Sequence, residues 1–230
     1  MRNTLKQGLL ELRLPLSQEK QDLLCAFGEA VIEKNKVMNL TAITEPTAVA
    51  KLHLLDSLTV LKTVDLAGKC LIDVGCGAGF PGVPLAIACP EAKVTLLDSL
   101  GKRMRWLEEV LPELGISAEC LTARAEEAVA QRREQYDFAV SRAVARLNIL
   151  LELTAPYVKV GGAVVALKGA AAQEELTQAK TAISRLGLEL DQICPFYIDG
   201  AAHNVLVLRK VKPTPPAYPR RFSKIKQAPL

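Results

Sequence analysis

The sequence is poor in the residues from which metal sites and membrane spans are built. It has only two histidines, and its six cysteines form no C-x-x-C pair and no His-paired spacing. These absences exclude the common zinc motifs, so we expect no metal. No apolar stretch is long enough to span a bilayer, and Glu11 and Arg13 interrupt the N-terminal apolar run, which argues against a signal peptide.

Most of the cysteines fall within apolar runs, which predicts buried, reduced thiols in a cytoplasmic protein. Half of the 230 residues are hydrophobic, enough for one sizeable α/β domain with an appendage. We expect an N-terminal helical extension over residues 1–66, the ligand-binding domain over 67–211 and a basic, Pro-rich tail over 212–230. We expect a monomer.

Acidic side chains are absent from residues 209–230. The remainder of the chain has 22 basic and 25 acidic residues, a net charge of −3, so the excess of +4 arises from the C-terminal region. This local positive charge predicts contact with a polyanion, most simply nucleic acid. The candidate RNA-binding residues are Arg209, Lys210, Lys212, Arg220, Arg221, Lys224 and Lys226.

A glycine-rich stretch lies between a short apolar run and a helical pattern. The apolar run, Cys70–Val74, reads as a buried strand, and Asp73-x-Gly75-x-Gly77-x-Gly79 spans its end. Glycine allows a tight turn and lets a ligand approach the backbone without a Cβ in the way. The stretch therefore predicts a ligand site at a strand-to-helix turn.

Two ligand classes fit this turn. Gly77-x-Gly79-x-x-Gly82 matches the dinucleotide pattern, whereas Asp73 followed by G-x-G-x-G is typical of S-adenosylmethionine (SAM)-dependent methyltransferases. A carboxylate entering the turn would repel a pyrophosphate but suits the cationic groups of SAM. Asp73 therefore favours SAM, and NAD stays an alternative.

From residue 68 onward, strand and helix patterns alternate, which predicts a doubly wound, Rossmann-like sheet. We expect seven mostly parallel strands with an antiparallel last strand. Asp98 ends the second strand, where a carboxylate can accept hydrogen bonds from the ribose of an adenosine. We also expect Gly161 and Gly162 to end a helix, and one continuous helix over residues 173–186.

Motifs for several kinds of methyl transfer are missing. After the fourth strand there is no Asn/Asp-Pro-Pro-aromatic motif for exocyclic amines and no Pro-Cys or Thr-Cys for pyrimidine C5. No general base stands out. A ring nitrogen with a free lone pair, such as guanine N7, has no proton to remove and needs only in-line placement against the methyl. We therefore predict no catalytic acid or base.

Several motifs together resemble those of one family, the rRNA small subunit methyltransferase G (glucose-inhibited division protein B) family. They occur in the family's order: Asn39-Leu40-Thr41-Ala42-Ile43, His53-Leu54-Leu55-Asp56-Ser57-Leu58, Asp73-Val74-Gly75-x-Gly77-x-Gly79-Phe80-Pro81-Gly82, Ser141-Arg142-Ala143 and Lys168-Gly169. The resemblance covers nearly the whole chain. It implies methylation of N7 of one guanine in the decoding-region loop of 16S rRNA, with SAM as the donor.

The resemblance also implies which residues contact SAM. Carried over, the contacts fall on Gly75, Phe80, Asp98, Ser99, Leu100, Ala125, Glu126 and Arg142, in addition to Asp73, Gly77 and Gly79 of the glycine turn. On this basis we expect residues 73–142 to assemble the donor pocket by themselves. Two other functions fit the same residues: an NAD-dependent oxidoreductase and a non-catalytic RNA-binding or ribosome-assembly protein.

Overall fold

Seven strands form one sheet in the order β3-β2-β1-β4-β5-β7-β6 in a computed structural model that describes all 230 residues. Strand β7 runs antiparallel to both of its neighbours, and the pairs among β1 to β5 are parallel. The predicted fold class is confirmed. The strands are β1 (Cys70–Val74), β2 (Lys93–Asp98), β3 (Glu119–Thr122), β4 (Tyr136–Arg142), β5 (Val158–Lys168), β6 (Leu188–Ile198) and β7 (Ala201–Lys210).

Helices cover both faces of the sheet, as the connections between parallel strands require. No helix is both long and apolar enough to cross a membrane. The helices are α1 (Arg2–Glu11), α2 (Gln18–Asn35), α3 (Pro46–Val49), α4 (Asp56–Leu58), α5 (Gly82–Ala88), α6 (Gly101–Glu113), α7 (Ala125–Arg132), α8 (Leu147–Thr154), α9 (Ala172–Gln178), α10 (Lys180–Arg185) and α11 (Phe222–Gln227).

The N-terminal helices share the core of the sheet. Leu5 of α1 and Phe27 of α2 are fully buried in one apolar cluster with Leu85 and Leu107 of the helices beside the glycine turn. The Ser17 hydroxyl caps α2 by accepting a hydrogen bond from the Lys20 N–H at 3.3 Å, as such a residue should at this position. The N-terminal segment is thus bound to the sheet through shared apolar packing.

The last helical part of the predicted N-terminal extension is irregular. Helix α3 continues as a π-helical segment, Ala50–Leu55, then as α4, and ends in a 3₁₀ turn, Thr59–Lys62. π-Helical turns are rare and are found mostly at functional sites. This one carries His53, whose side chain faces the site described below.

Gly161 and Gly162 do not end a helix, contrary to the prediction. They lie within β5, where Tyr136 pairs with Val158 and Phe138 with Ala163, so that the intervening residues form a bulge. Gly161 has φ +90°, and a Cβ on Gly162 would lie 2.3 Å from the Asp137 carbonyl oxygen. The two glycines serve a strand bulge and a close backbone approach.

One further expectation about helices needs correction. The helix predicted over residues 173–186 is interrupted between α9 and α10 at Ala179, and nothing in the sequence marks that break. The Pro-rich residues 213–219 form no helix or strand, and the tail then forms α11, whose Ile225 is fully buried. The basic tail is therefore packed against the domain.

Candidate active site

A cavity of about 630 Å³ opens at the carboxyl ends of the central strands. The sheet order reverses between β1 and β4, and the crevice at such a switch point is where open α/β sheets bind ligands. Most of the predicted donor contacts line it: Gly75, Gly77, Phe80, Asp98, Ser99, Leu100, Ala125, Glu126 and Arg142. The structure thus brings together residues from four separate strand ends.

The glycines of the turn are required both by their positive φ angles and by a neighbouring side chain that leaves no room for a Cβ. Gly75, Gly77 and Gly79 have φ of +78°, +57° and +94°. A Cβ on Gly75 would lie 2.4 Å from Cγ2 of Val144, in the loop that follows β4. A Cβ on Gly77 would meet nothing closer than the Arg103 guanidinium at 3.9 Å. The turn therefore presents bare backbone to the cavity.

Asp73 and Gly79 lie behind the turn and do not line the cavity. Asp73 is fully buried, and its Oδ2 accepts a hydrogen bond from the Gly82 N–H at 2.7 Å. Its Oδ1 has no hydrogen-bond partner, and burial raises the pKa of Asp73 to about 7. Contrary to the prediction, neither residue lines the cavity where a donor would bind, and Asp73 holds the turn through Gly82 instead.

Asp98 joins the glycine turn to the next loop. Its Oδ2 accepts from the Gly77 N–H at 3.0 Å, and its Oδ1 accepts from the Leu100 N–H at 2.8 Å. Helix α6 begins after Leu100, so Asp98 is not its N-cap. Each carboxylate oxygen has a second lone pair, which leaves acceptor capacity for ribose hydroxyls.

Arg142 occupies a polar cluster beside the cavity. Its Nη1 donates to the Leu52 carbonyl at 2.6 Å and to Asp56 Oδ2 at 3.0 Å, and its Nη2 lies 3.0 Å from His53 Nδ1. The guanidinium also lies 5.3 Å from the centroid of the Phe80 ring. Because only about 15% of its side chain is exposed, Arg142 mainly links the N-terminal helices to the end of β4.

The two histidines lie on either side of this cluster, and their pKa values are shifted in opposite directions. His53 stacks on Phe80 with 4.7 Å between ring centroids, and its Nε2 lies 2.8 Å from Thr41 Oγ1. Burial, with the charge of Arg142, lowers the pKa of His53 to about 4. His203 Nδ1 lies 2.8 Å from Asp56 Oδ1, and this hydrogen bond raises the pKa of His203. Asp56 therefore bridges Arg142 and His203.

The basic residues predicted to bind RNA separate into two groups. Arg209 pairs with Ala163 in the sheet, at the edge opposite to the cavity, and Lys210 and Lys212 follow it there. Lys210 is fully buried; its Nζ donates to the carbonyls of Ala155 and Val158, at 2.7 and 3.0 Å. Lys210 is therefore unavailable to RNA, a correction to the prediction.

The second basic group lies in a chain segment that reaches the cavity. Arg220 pairs with the buried Glu152, while Arg221, Lys224 and Lys226 are exposed. Phe222, within the same segment, lines the cavity itself. The expectation that residues 73–142 complete the pocket is thus wrong, because residues before and after that range also line it: Leu40, Thr41, His53, Leu153 and Phe222.

A family model described as rRNA small subunit methyltransferase G (GidB) matches residues 20–199. The chain belongs to this family. It is 43% identical to the ribosomal RNA small subunit methyltransferase G of Alkaliphilus oremlandii, over 100% of this chain and 99% of that protein. Identity to the protein of the same name from Clostridium botulinum (strain Eklund 17B) is 41%, over 94% and 93% of the two chains.

Solved structures agree on the fold of this rRNA small subunit methyltransferase G family member. A 16S rRNA (adenine-N1)-methyltransferase from Catenulisporales acidiphilia superposes with a TM-score of 0.55 at 17% identity, over 64% of this chain and 87% of that one. M. jannaschii TYW2, solved in complex with AdoMet, gives a TM-score of 0.56 at 14% identity, over 69% and 76%. At such identities the likeness concerns the fold alone.

Proposed function

We propose that the chain transfers a methyl group from SAM to N7 of one guanine in 16S rRNA. Membership of a small-subunit rRNA methyltransferase family supports the reaction class and the RNA. The observation that carries the donor assignment is the cavity at the switch point, with bare glycine backbone on one side and Asp98 on the other. The engagement of the lining histidine, His53, by Thr41 and Arg142 supports an acceptor atom such as guanine N7, which needs no general base.

The lining residues fit SAM in size and chemistry. A cavity of about 630 Å³ lies within the usual range for ligands of this size. Asp98 keeps free acceptor lone pairs for the ribose hydroxyls, and Gly75 and Gly77 leave room for the methionine part. Glu126 adds a second carboxylate to the wall, which suits a cationic ligand. When bound, the donor supplies an electrophilic methyl group on sulfur.

The chain has to place the guanine, not deprotonate it. The burial that lowers the pKa of His53 to about 4 keeps this histidine neutral near pH 7, and its Nε2 is engaged by Thr41. Guanine N7 has a lone pair and no proton, so holding it in line with the methyl is sufficient, and well-oriented placement alone contributes strongly to rate. We assign this positioning to the residues around Arg142.

A second cavity of about 580 Å³ supports a place for the guanine. It shares His53, Arg142, Ala143 and Val144 with the donor cavity and is also lined by Lys168 and His203. Lys168 is held by Glu175 at 2.8 Å and by the Ala145 carbonyl at 2.6 Å, which fixes the loop after β4. We propose that the base enters here and meets the methyl at the shared residues.

Gly82, the third glycine of the dinucleotide pattern, argues against NAD as the ligand. In a dinucleotide site this part of the turn and the helix after it offer N–H groups to a pyrophosphate. Here the Gly82 N–H donates to the buried Asp73 carboxyl instead. A non-catalytic RNA-binding function would not require a cavity of this size at the switch point, and an activity measurement separates it from the enzyme.

Incubation with labelled SAM and small-subunit RNA or particles lacking the modification tests the proposal. We expect label on one guanine N7, mapped by reduction and aniline cleavage. Label on an exocyclic amine, a pyrimidine carbon or a ribose oxygen would contradict the acceptor assignment, and an RNA complex without turnover would favour the assembly role. Tight NAD binding without SAM binding, measured by calorimetry, would overturn the donor assignment.

The variant Asp98→Ala tests whether SAM binds at the cavity described above. Losing charge-assisted hydrogen bonds should weaken SAM binding by about 1–3 kcal/mol. Asp65→Ala is the matched variant, because Asp65 also accepts a backbone hydrogen bond, from the Ala67 N–H, but is exposed and remote from the cavity. Equal SAM affinity in the two variants would remove Asp98 from the donor site.

The remaining assignments follow from this function. We propose that residues 67–211 form the SAM-binding domain, with residues 1–66 as an extension packed on it. An rRNA substrate or small ribosomal subunit as partner supports a cytoplasmic location. We propose that the monomer is the active form.

A further inference from the structure

The C-terminal segment after β7 forms a strap, defined here as residues 213–230. It starts at the edge of the sheet opposite to the cavity, where Thr214 Oγ1 donates to the Leu186 carbonyl at 3.1 Å. It ends on α8, where the Asn148 side-chain amide donates to the Leu230 carbonyl at 3.3 Å. Between these points the strap passes the mouth of the donor cavity.

Two anchors fix the strap on either side of Phe222. The carboxylate of Glu152, fully buried on α8, accepts hydrogen bonds from the Arg220 N–H, Nε and Nη2, at 2.9, 2.8 and 2.6 Å. Ile225, one turn after Phe222, is also fully buried. The position of Phe222 is therefore determined by contacts of its neighbours with the core.

Phe222 is left partly uncovered at the cavity. It lines the wall together with Leu153 of α8 and residues 123–126 after β3. A smaller adjoining cavity is lined by Arg124, Glu126 and Glu127 on one side and residues 219–223 on the other, which shows that the two segments are neighbours. About 36% of Phe222 is exposed, so a large apolar surface remains available to a ligand.

The sheet order identifies which end of the cavity this is. Asp98 at the end of β2 marks the ribose position, as in other doubly wound sheets. Strand β3 lies beyond β2, on the side away from β1 and its glycine turn. Residues 123–126 and Phe222 therefore border the end of the cavity beyond the ribose, where the base of an adenosine lies.

We propose that Phe222 binds the adenine ring of the donor, so that the strap completes the donor site. This inference rests on the proposed function and adds a binding residue to it. An aromatic side chain offers a base a stacking surface, and its removal from such sites typically weakens binding about fivefold to a hundredfold. The adenine would in turn cover the exposed part of Phe222.

Calorimetry with two probes tests the assignment: SAM, and methylthioadenosine, which lacks the amino acid part. Phe222→Ala should weaken both by a similar factor of about ten or more, whereas Phe222→Tyr, which keeps the ring, should bind both nearly normally. Gln227→Ala is the matched control, because Gln227 is an exposed residue of the same helix and does not line the cavity. It should leave both affinities unchanged.

A fluorescence measurement keeps the test independent of folding effects. In a Trp106→Phe background, which removes the single native tryptophan, Phe222→Trp places the only indole at the cavity wall. Methylthioadenosine should change its emission at saturation. If the wild type binds SAM but Phe222→Ala, still folded, binds equally well, the inference is overturned. Loss of SAM but not of methylthioadenosine affinity would overturn the adenine assignment, and absence of SAM binding to wild type would overturn the proposed function itself.

Discussion

Asp73 shows how one buried carboxyl can shape a ligand turn at a cost in stability. It is fully buried, its Oδ1 has no partner, and its pKa is raised from 3.8 to about 7 by burial. Its Oδ2 accepts a hydrogen bond from the Gly82 N–H, and a Cβ on Gly82 would lie only 2.9 Å from that oxygen. The carboxyl and the glycine are thus fitted to one another.

This residue gives a prediction about pH. The folded chain keeps the Asp73 proton up to about pH 7, whereas the unfolded chain loses it near pH 4. Folding therefore binds a proton in this window, and the free energy of unfolding should fall as pH rises from 4 to 7, by up to about 1.4 kcal/mol per pH unit. Urea unfolding of the ligand-free protein at several pH values measures it.

Asp73→Asn should remove this component of the pH dependence, because an amide does not titrate. The exposed Asp65→Asn carries the same charge change and should retain the wild-type slope. Parallel stability curves for wild type and Asp73→Asn would show that Asp73 ionises in the folded protein as it does in the unfolded chain.

The strap is the element whose role differs most from its sequence-based prediction. Its charge alone predicts an RNA-binding tail, yet Arg220 neutralises a fully buried carboxylate and Ile225 enters the core. Deleting residues 212–230 would therefore remove an ion pair, a buried side chain and a cavity wall along with the exposed cations. Point substitutions are the appropriate test of each role.

Removing Arg220 should destabilise the fold. Arg220→Ala leaves the Glu152 charge buried with only the backbone N–H of residue 220 as partner, and breaking such a pair costs about 3 kcal/mol or more. The neighbouring Arg221→Ala, at an exposed position, should cost less than about 0.5 kcal/mol. Adding Glu152→Gln to Arg220→Ala should recover part of the loss; additive effects in this double-mutant cycle would argue against the pair.

Across the whole molecule, basic residues that are close in the C-terminal sequence lie at opposite edges of the sheet. Arg209 and Lys212 lie at the edge remote from the cavity, although the sequence places them beside the basic residues of the strap. Arg221 lines the smaller cavity that adjoins the donor cavity, and Lys224 and Lys226 are exposed on the helix that follows it. An RNA that delivers its base to the cavity should therefore contact the second group only.

The salt dependence of RNA binding tests this division. Replacing Arg221, Lys224 and Lys226 together by Gln should flatten the slope of log affinity against log salt by about 2 to 3, since each phosphate contact contributes about 0.7 to 0.9. Replacing Lys69, Lys93 and Lys212 by Gln changes the net charge equally at the remote edge. That variant should keep the wild-type slope; equal effects of both sets would indicate nonspecific attraction.

Local patterns predicted the parts of this fold that are determined locally. The run Cys70–Val74 and the glycine turn each follow from a pattern of a few residues, and the structure shows a strand and a turn there. Asp98 ends β2 as predicted, and its carboxylate accepts a hydrogen bond from the turn. Gly161 was misread because a bulge and a helix end both require φ above zero, and only pairing with β4 distinguishes them.

Contacts between distant segments were not predictable in this way. Phe222 lies far along the chain from Asp98, and no periodicity links the two. The cluster of His53, Asp56 and Arg142 likewise combines a π-helical turn with a strand end. The motif that contains His53 and Asp56 contributes to the family resemblance without indicating a role for either residue, and only the fold shows that these side chains contact Arg142.

One feature of the strap has a consequence for the order in which ligands bind. Phe222 faces the donor cavity, while Lys224 and Lys226 of the same six-residue helix face solvent. Because Arg220 and Ile225 already anchor this segment, neither ligand has to order it for the other. SAM titrations with and without RNA should therefore give equal affinities, and the two substrates should bind in either order, as linkage requires when the coupling free energy is zero.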